Sequence, residues 1–183
     1  MPETAEKLMT ADEFAVFKGD DDKDYELIQG MLVEMPKPGT RHAQLQARLI
    51  IKLGAYLEAN PIGEVIGESG YRLTFNPDTV RAPDVAYLSR DQAERASDPG
   101  FLAVAPHVAI EINSPNDVMS EVLDKARWWL KQGSAQVWIV DDPTRTVTVY
   151  LPDNTARVYG IEDNLTADNA MPGFTLPLTE LFI

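Results

Sequence analysis

Two short stretches of the chain each place one carboxylate among apolar residues. They are RAPDVAYLS, which contains Asp84, and HVAIEINS, which contains Glu111. Side chains alternate between the two faces of a strand, so Glu111 is expected to share a face with Ala109 and Asn113. A carboxylate buried in a sheet costs on the order of several kcal/mol unless it is paired or binds a cation. Both carboxylates are therefore candidate functional groups.

The residue types in the chain narrow the chemistry that such a pair can perform. No cysteine and only two histidines are present, which excludes cysteine nucleophiles, thiolate-zinc sites and multi-histidine metal cages. Two carboxylates on neighbouring strands repel each other, and a divalent cation that prefers hard oxygen ligands, Mg²⁺ or Mn²⁺, relieves that repulsion. The alternative is that Asp84 and Glu111 lie partly exposed at strand ends, each satisfied by an arginine or a backbone N–H.

A short helix and a β-hairpin are predicted near the N-terminus. The helix covers residues 11–17, where Thr10 and Glu13 have the spacing of a capping box. An acidic loop follows, and then YELIQGMLVEM predicts two strands joined by a two-residue turn. In that register Glu26 lies opposite Val33 and points to an apolar face.

Two longer helices are predicted over residues 42–59 and 117–132, because apolar residues recur there at helical spacing. His42 falls on the apolar stripe of the first helix, where it is either functional or a histidine satisfied at the start of the helix. The second helix carries Lys125 and also Trp129, which is predicted to be a core residue rather than a base-stacking one. The first helix has a separate basic stripe, which consists of Arg41, Arg48 and Lys52.

The order of the elements predicts the fold class. Strands are expected over residues 82–88 and 108–113, between the two helices, and further strands follow the second helix. Helix, strands, helix and strands in this order predict an α/β or α+β domain, in which a mixed sheet is flanked by helices. Residues 1–24 are expected to form an N-terminal helix and acidic loop, and residues 25–183 a single domain.

Charge and hydropathy bear on the partner and the location. The net charge of −13 argues on electrostatic grounds against nucleic acid as a partner. No apolar run is long enough to span a membrane, and the N-terminus lacks a basic region followed by an apolar one. A cytoplasmic location without membrane contact is therefore predicted.

Several landmarks of the chain occur in a recognisable order. They are YELIQGMLVEM, a histidine that opens a helix, RAPDVAYL, VAIEINSP, a lysine on the next helix, and QVWIVDD. The Pro-Asp pair followed by a strand glutamate is similar to the pattern of PD-(D/E)XK nucleases. The whole order, from about Tyr25 to Ile183, resembles the Uma-two family of bacterial restriction-endonuclease-like proteins. This resemblance implies a restriction-endonuclease-like core with the β-hairpin as an N-terminal extension.

The resemblance also implies roles for particular residues. Asp84 and Glu111 would hold Mg²⁺ or Mn²⁺ as metal ligands. The superfamily usually has a lysine two residues after the glutamate, where this chain has Asn113. Lys125 matches the position on the following helix to which that lysine is thought to have moved, and would stabilise charge on a phosphate. Its alternative role is an i,i+4 ion pair with Glu121.

The same resemblance gives other polar residues auxiliary roles. Glu26, Glu34 and His42 are expected near the metal, and Asn113 is expected to hydrogen-bond a metal-bound water. The candidates for contact with the DNA backbone are Arg41, Arg48 and Lys52.

The function that these features favour is a Mg²⁺-dependent endonuclease that hydrolyses DNA phosphodiester bonds, despite the acidic net charge. A homodimer is expected, because restriction-type nucleases often pair two active sites and because the apolar segment 174–183 needs a packing surface. Two alternatives stay open. One is a catalytically inactive nuclease-fold module for binding or assembly, and the other is a small-molecule phosphodiesterase.

Overall fold

The computed structural model describes residues 7–96, 100–114 and 117–183. Its helices are α1 (Ala11–Ala15), α2 (Thr40–Ala59), α3 (Arg90–Arg95), α4 (Met119–Gln132) and α5 (Leu178–Leu181). Its first six strands are β1 (Lys23–Ile28), β2 (Met31–Pro36), β3 (Gly63–Gly67), β4 (Tyr71–Thr74), β5 (Thr79–Arg81) and β6 (Val85–Ser89). The remaining strands are β7 (Val108–Asn113), β8 (Gln136–Asp141), β9 (Thr146–Tyr150), β10 (Ala156–Tyr159), β11 (Asn164–Thr166) and β12 (Thr175–Pro177).

The central sheet has six strands in the order β10-β9-β8-β7-β6-β3. Neighbouring strands are antiparallel except β7 and β8, which are parallel and are connected through α4. Val108 and Ile110 form one core with α2, whereas Ala109 forms a second core with α4 on the opposite face. The predicted alternation along β7 is confirmed. Glu111 therefore lies on the face covered by α4.

A second sheet, in the order β2-β1-β5-β4, contains the N-terminal hairpin. The hairpin pairs Glu26 with Val33, as predicted. Its two turn residues, Gln29 and Gly30, have φ values of 52° and 76°, the positive angles that a two-residue hairpin turn of type I′ requires. Glu26 is buried, and β5 places Arg81 beside it. This sheet thus contributes charged groups to the interior.

The predicted strand over 82–88 is too long at its start. Strand β5 ends at Arg81 and β6 begins at Val85, so Asp84 lies immediately before a strand rather than within one. Pro83 has no backbone N–H and cannot donate to a ladder at this point. The carbonyl group of Ala82 accepts a hydrogen bond from a side chain instead. Asp84 therefore lies outside the strand, where His42 of α2 contacts its carboxylate.

The apolar C-terminal segment is buried within the same chain. Residues 164–183 form β11, β12 and α5, and α5 packs against α2. Leu178, Leu181 and Phe182 are almost completely buried there. The packing surface that this segment needs is supplied by its own chain, so its apolar character does not call for a second subunit.

The N-terminal helix is shorter than predicted. It covers Ala11–Ala15 instead of residues 11–17, and the capping box between Thr10 and Glu13 is present. Residues 1–6 of the predicted N-terminal region, and the proline of the VAIEINSP landmark, lie outside the described residues. In the part of the chain that the structure describes, no helix is both long enough and apolar enough to cross a bilayer.

Candidate active site

Strands β6 and β7 bring Asp84 and Glu111 together. Their antiparallel ladder pairs Val85 with Ile110, so the next position along the ladder places Asp84 opposite Glu111. The backbone N–H of Ile112 donates a hydrogen bond of 2.6 Å to Asp84 Oδ2. The predicted proximity of the two carboxylates is therefore confirmed, with Asp84 at the end of its strand and Glu111 within the neighbouring strand.

Helix α4 brings Lys125 to the same place. Its Nζ lies 3.0 Å from Glu111 Oε2 and 3.0 Å from Glu26 Oε1, and it donates a hydrogen bond of 2.9 Å to the carbonyl oxygen of Ala82. These contacts turn the side chain into the protein interior, away from the i,i+4 pairing with Glu121. Lys125 thus bridges carboxylates from two different sheets.

Glu26 is the second partner of Lys125, and it also forms an ion pair with Arg81. Its Oε2 lies 3.4 Å from Arg81 Nε, and the Arg81 guanidinium lies 5.5 Å from the ring centroid of Trp128. The sequence pattern did not identify Arg81 as a site residue, although it directly precedes the Ala-Pro-Asp landmark. The hairpin sheet therefore supplies both an anion and a cation to the site.

Trp129 supplies a hydrogen bond that the sequence did not predict. The prediction that it is a core residue is confirmed, since its side chain is 0% exposed. Its indole Nε1–H also donates a hydrogen bond of 2.6 Å to Glu111 Oε1. A buried indole N–H needs an acceptor, and this requirement was the available signal.

On the other side of the site, helix α2 contributes His42. Its Nε2 lies 3.2 Å from Asp84 Oδ2, while its buried Nδ1 has no hydrogen-bond partner among the described residues. Burial alone lowers the pKa of His42, but the hydrogen bond and charge of Asp84, together with the charges of Glu68 and Asp117, raise it above its ordinary value. His42 therefore contacts a proposed metal ligand rather than serving only the start of its helix.

One helical turn later, Gln46 contacts the backbone of Asp84. Its Nε2 donates hydrogen bonds of 2.9 Å to the carbonyl oxygen of Asp84 and to Glu68 Oε1. Neither Gln46 nor Glu68 was identified from the sequence, because nothing in their spacing distinguishes them from ordinary surface residues. They fix the backbone at Asp84.

Three carboxylates and the Lys125 ammonium interact at the centre of the site. Burial, followed by the charges of Asp84 and Glu26, raises the pKa of Glu111 to about 7 against the opposing charge of Lys125. Burial lowers the pKa of Lys125, but the charges of Glu111, Glu26 and Asp84 outweigh it and raise that pKa. The ammonium therefore stays charged, and a further cation is electrostatically favoured.

The chemistry of the donor set fits a hydrated divalent cation. Carboxylate oxygens are the hard ligands that Mg²⁺ and Mn²⁺ prefer. The backbone N–H of Ile112 and the His42 side chain both contact Oδ2 of Asp84, and Oδ1 has no hydrogen-bond partner among the described residues. The described residues contain no group of three or more His, Asp or Glu side chains arranged for a metal. Two protein ligands plus waters and substrate oxygens are a usual arrangement for Mg²⁺.

Comparison with known proteins assigns the chain to a family. Residues 11–179 match the Uma2 family, which is described as "Putative restriction endonuclease". The chain belongs to the Uma2 family. This membership supports a nuclease-like function.

A solved structure shares the fold of this Uma2 protein. It is the crystal structure of a protein from Anabaena variabilis described as "a putative nuclease belonging to DUF820". The two chains superpose with a TM-score of 0.80 at 23% sequence identity, over 95% of this chain and 97% of the other. At this identity the likeness establishes the fold. No match to the curated proteins was found.

Two predicted auxiliary residues of this Uma2 protein have other surroundings. Glu34 pairs with Tyr25 across the hairpin, so it lies on the face opposite to Glu26, and its carboxylate binds Lys23 at the surface. The expected place for Glu34 near the metal is thus corrected. Asn113 Nδ2 donates to Asp141 Oδ1 over 2.8 Å, which turns its amide towards β8.

The basic stripe of helix α2 also has other partners in this Uma2 protein. The Arg41 guanidinium binds the Asp142 carboxylate and donates to the carbonyl oxygen of Ile183. Arg48 donates to the carbonyl oxygens of Leu181 and Ile183, and Lys52 binds Glu180. These three cations lie on the flank of α2 that faces the C-terminal segment, because residues 41, 48 and 52 recur at helical spacing. These three cations hold the C-terminal segment, and their contact with DNA stays a prediction.

Proposed function

We propose that the protein is an endonuclease that hydrolyses phosphodiester bonds of DNA with the help of Mg²⁺ or Mn²⁺. The observation that carries this proposal is the position of the Lys125 ammonium, 3.0 Å from Glu111 and in the same cluster as Asp84. Two carboxylates and a lysine are the groups that metal-assisted phosphoryl transfer uses for charge stabilisation. Membership of the Uma2 family supports a nuclease-like function.

The proposed roles follow from the contacts of each side chain. Asp84 and Glu111 would hold the cation, which supplies Lewis-acid stabilisation of the phosphate when it is bound. Lys125 stays protonated, because its carboxylate partners raise its pKa, and it stabilises negative charge that develops on the phosphate oxygens. Glu26 and the Ala82 carbonyl oxygen keep the ammonium in place.

The site is accessible from the side of Asp84. The Asp84 side chain is 22% exposed, compared with 9% for Glu111. A phosphate group would therefore approach past Asp84 and reach Lys125, whose side chain is 17% exposed. Helix α2 borders this approach through His42 and Gln46.

The test is cleavage of plasmid DNA by purified protein with Mg²⁺, with Mn²⁺ and with EDTA. Lys125→Met keeps much of the side-chain volume but removes the charge, and we expect it to lower turnover by at least about 100-fold. Lys131→Met, on the same helix, is the matched control and should cut at the wild-type rate. Equal rates for both variants would contradict the role of Lys125, and the absence of any cleavage by the wild type would contradict the proposed activity.

Two observations favour the alternative functions and define their tests. Asn113 in place of the usual lysine favours a catalytically inactive module, which would bind metal without cutting any phosphodiester. The net charge of −13 favours a small phosphodiester over a polymer. Hydrolysis of bis(p-nitrophenyl) phosphate without cleavage of DNA would support the small-molecule phosphodiesterase.

The proposal includes a homodimer and a cytoplasmic location, which both stay predictions. Two copies related by a twofold axis would present two sites to the two strands of a duplex. The buried C-terminal segment gives no support to this dimer, so it rests on the resemblance to restriction-type nucleases alone.

A further inference from the structure

We propose that Trp129 is a positioning residue that fixes the orientation of the Glu111 carboxylate for the divalent cation. Its indole N–H holds Oε1, so that Oε2 is the oxygen presented to the metal. This inference rests on the metal site of the proposed function. It adds a residue that family membership does not assign and that the sequence pattern marked only as core.

The geometry of Trp129 leaves its N–H little freedom. The Nε1–Oε1 distance is 2.6 Å, and the side chain is 0% exposed. The ring is held edge-to-face by Tyr71 from the hairpin sheet, at a centroid distance of 5.3 Å, and by Trp128 at 4.8 Å. Glu111 therefore meets a donor whose own position is set by packing on two sides.

The two oxygens of Glu111 have different partners. Oε1 accepts from the neutral indole, whereas Oε2 lies 3.0 Å from the Lys125 ammonium. Each carboxylate oxygen has about two lone-pair sites, so Oε2 can accept from the Lys125 ammonium and still have a site left for a metal. The neutral indole fixes Oε1 and with it the rotation of the carboxylate, and we infer that Glu111 binds the cation through the remaining site of Oε2.

Trp138 is a second buried tryptophan, and its indole N–H does not contact a proposed metal ligand. It is also 0% exposed, but its Nε1–H donates to the side-chain oxygen of Gln136, on the face of the sheet covered by α2. The two tryptophans share burial and a satisfied N–H, and they differ in that Trp129 alone of the pair donates to a carboxylate. Trp138 therefore provides a matched control.

The first experiment measures Mn²⁺ affinity by calorimetry for the wild type and two variants. Removing a hydrogen-bond partner of a metal ligand typically costs about 10- to 100-fold in metal affinity. We expect Trp129→Phe to show a loss of that size and Trp138→Phe to stay within about twofold of the wild type. Equal affinities for Trp129→Phe and the wild type would overturn the inference.

The second experiment needs no variant at the tested position, so it remains decisive if Trp129→Phe does not fold. The indole N–H resonances of ¹⁵N-labelled wild-type protein are recorded with and without Mg²⁺, and they are assigned with Trp128→Phe and Trp138→Phe. We expect Mg²⁺ to shift the Trp129 resonance and to leave that of Trp138 unchanged. A Trp129 resonance that does not move at saturating Mg²⁺ would overturn the inference, as would a wild type that binds neither ion.

Failure of this inference is distinguishable from failure of the proposed function. A metal-dependent shift of the Trp129 resonance without DNA cleavage would refute the nuclease activity and retain the positioning role. Metal-dependent cleavage with unchanged Mn²⁺ affinity in Trp129→Phe would retain the activity and refute the positioning role.

Discussion

The Glu111 carboxylate is harder to ionise than an ordinary glutamate, because its pKa is raised. The charge of Asp84 contributes to the raised pKa of Glu111, in addition to burial and to the charge of Glu26. The Lys125 ammonium offsets part of this repulsion but is shared between Glu111 and Glu26. A cation placed between Asp84 and Glu111 would therefore stabilise the folded state.

Asp84→Asn is expected to abolish the stabilisation by Mg²⁺. At a Mg²⁺ concentration of about 100 times Kd, binding adds about 2.7 kcal/mol, which for a chain of this length raises Tm by roughly 5–10 °C. The variant should show no such rise, and without metal it should be at least as stable as the wild type because the repulsion is gone. Thermal melts followed by circular dichroism measure both effects.

Asp124→Asn is the matched control for this prediction. Asp124 forms an exposed ion pair with Arg127 on helix α4, away from the carboxylate cluster. It should retain the full effect of Mg²⁺. If Asp84→Asn retained it as well, Asp84 would not be a ligand.

Charged residues within apolar stretches of the sequence could be predicted as site residues. Asp84 and Glu111 each interrupt an apolar run of the sequence, and Lys125 follows at a recognisable place on the next helix. Arg81 and Trp129 were not predictable, because their roles depend on a contact between two sheets and on the direction of one N–H. Glu34 was misplaced because its role was taken from the family resemblance, although the predicted register puts it on the face opposite to Glu26.

Helix α2 has polar residues on two flanks, one that faces the candidate site and one that faces the C-terminal segment. His42 and Gln46 face the site, whereas Arg48 belongs to the basic stripe that holds the C-terminal segment. Both groups flank the same buried apolar stripe, whose members include Leu45 and Leu49. A substitution on the flank that contacts the C-terminal segment should therefore leave the contacts of His42 and Gln46 at the site unchanged.

Arg48→Met is expected to lower stability without weakening DNA binding. It removes the hydrogen bonds from a charged group to the carbonyl oxygens of Leu181 and Ile183, a loss of about 2 kcal/mol. The measurements are urea denaturation and fluorescence anisotropy with labelled DNA. Arg127→Met, which breaks only an exposed ion pair, should change neither. Weaker DNA binding at unchanged stability would instead make the stripe a DNA-binding surface.

Helix α1 is anchored to the hairpin sheet by Asp78. Its buried carboxylate accepts a 2.7 Å hydrogen bond from the backbone N–H of Ala11 and a 3.0 Å one from Arg72. The bond from Ala11, followed by that from Arg72, holds the pKa of Asp78 below its ordinary value despite the opposing effect of burial. Loss of this charge should therefore loosen α1.

Asp78→Asn is expected to lower the free energy of unfolding by about 2 kcal/mol at pH 7. Because the folded-state pKa is lowered, the stabilisation is complete above the unfolded pKa of about 3.9 and is lost as pH falls through the folded value. The difference between wild type and variant should therefore persist at pH 5–7 and shrink below about pH 4. Urea denaturation across this range measures it. Asp22→Asn, in an exposed turn, should show little difference at any pH.

The fold class and most elements could be predicted because their signals are local. Apolar periodicity located α2 and α4, and alternation located β7. The start of β6 was missed, because a proline in an apolar run leaves the ladder without changing the hydropathy pattern. The division into two sheets was not predictable, since pairing of β1 with β5 joins residues far apart in the chain.

For the whole molecule, the distribution of charge limits how DNA can be bound. The net charge is −13, and more than half of the Lys and Arg side chains already form ion pairs with carboxylates of the chain. These side chains are Lys7, Lys23, Lys37, Arg41, Lys52, Arg72, Arg81, Lys125 and Arg127. Phosphate binding is therefore expected to depend on the metal site more than on a basic surface.

A homodimer is expected in solution at micromolar concentration. One site acts on one strand, so cutting a duplex on both strands calls for two sites, and a twofold axis is the commonest way to pair them. Light scattering coupled to size exclusion should give twice the mass of one chain. The mass of a single chain under these conditions would contradict the prediction.

The ion pair between Glu26 and Lys125 has a consequence for the order in which the protein is made. During synthesis, at about 5–20 residues per second, the hairpin emerges roughly 5–20 s before helix α4 is available to it. During this time Glu26 lacks the Lys125 ammonium with which it forms an ion pair in the complete protein. A nascent chain therefore cannot assemble the site until α4 has been made.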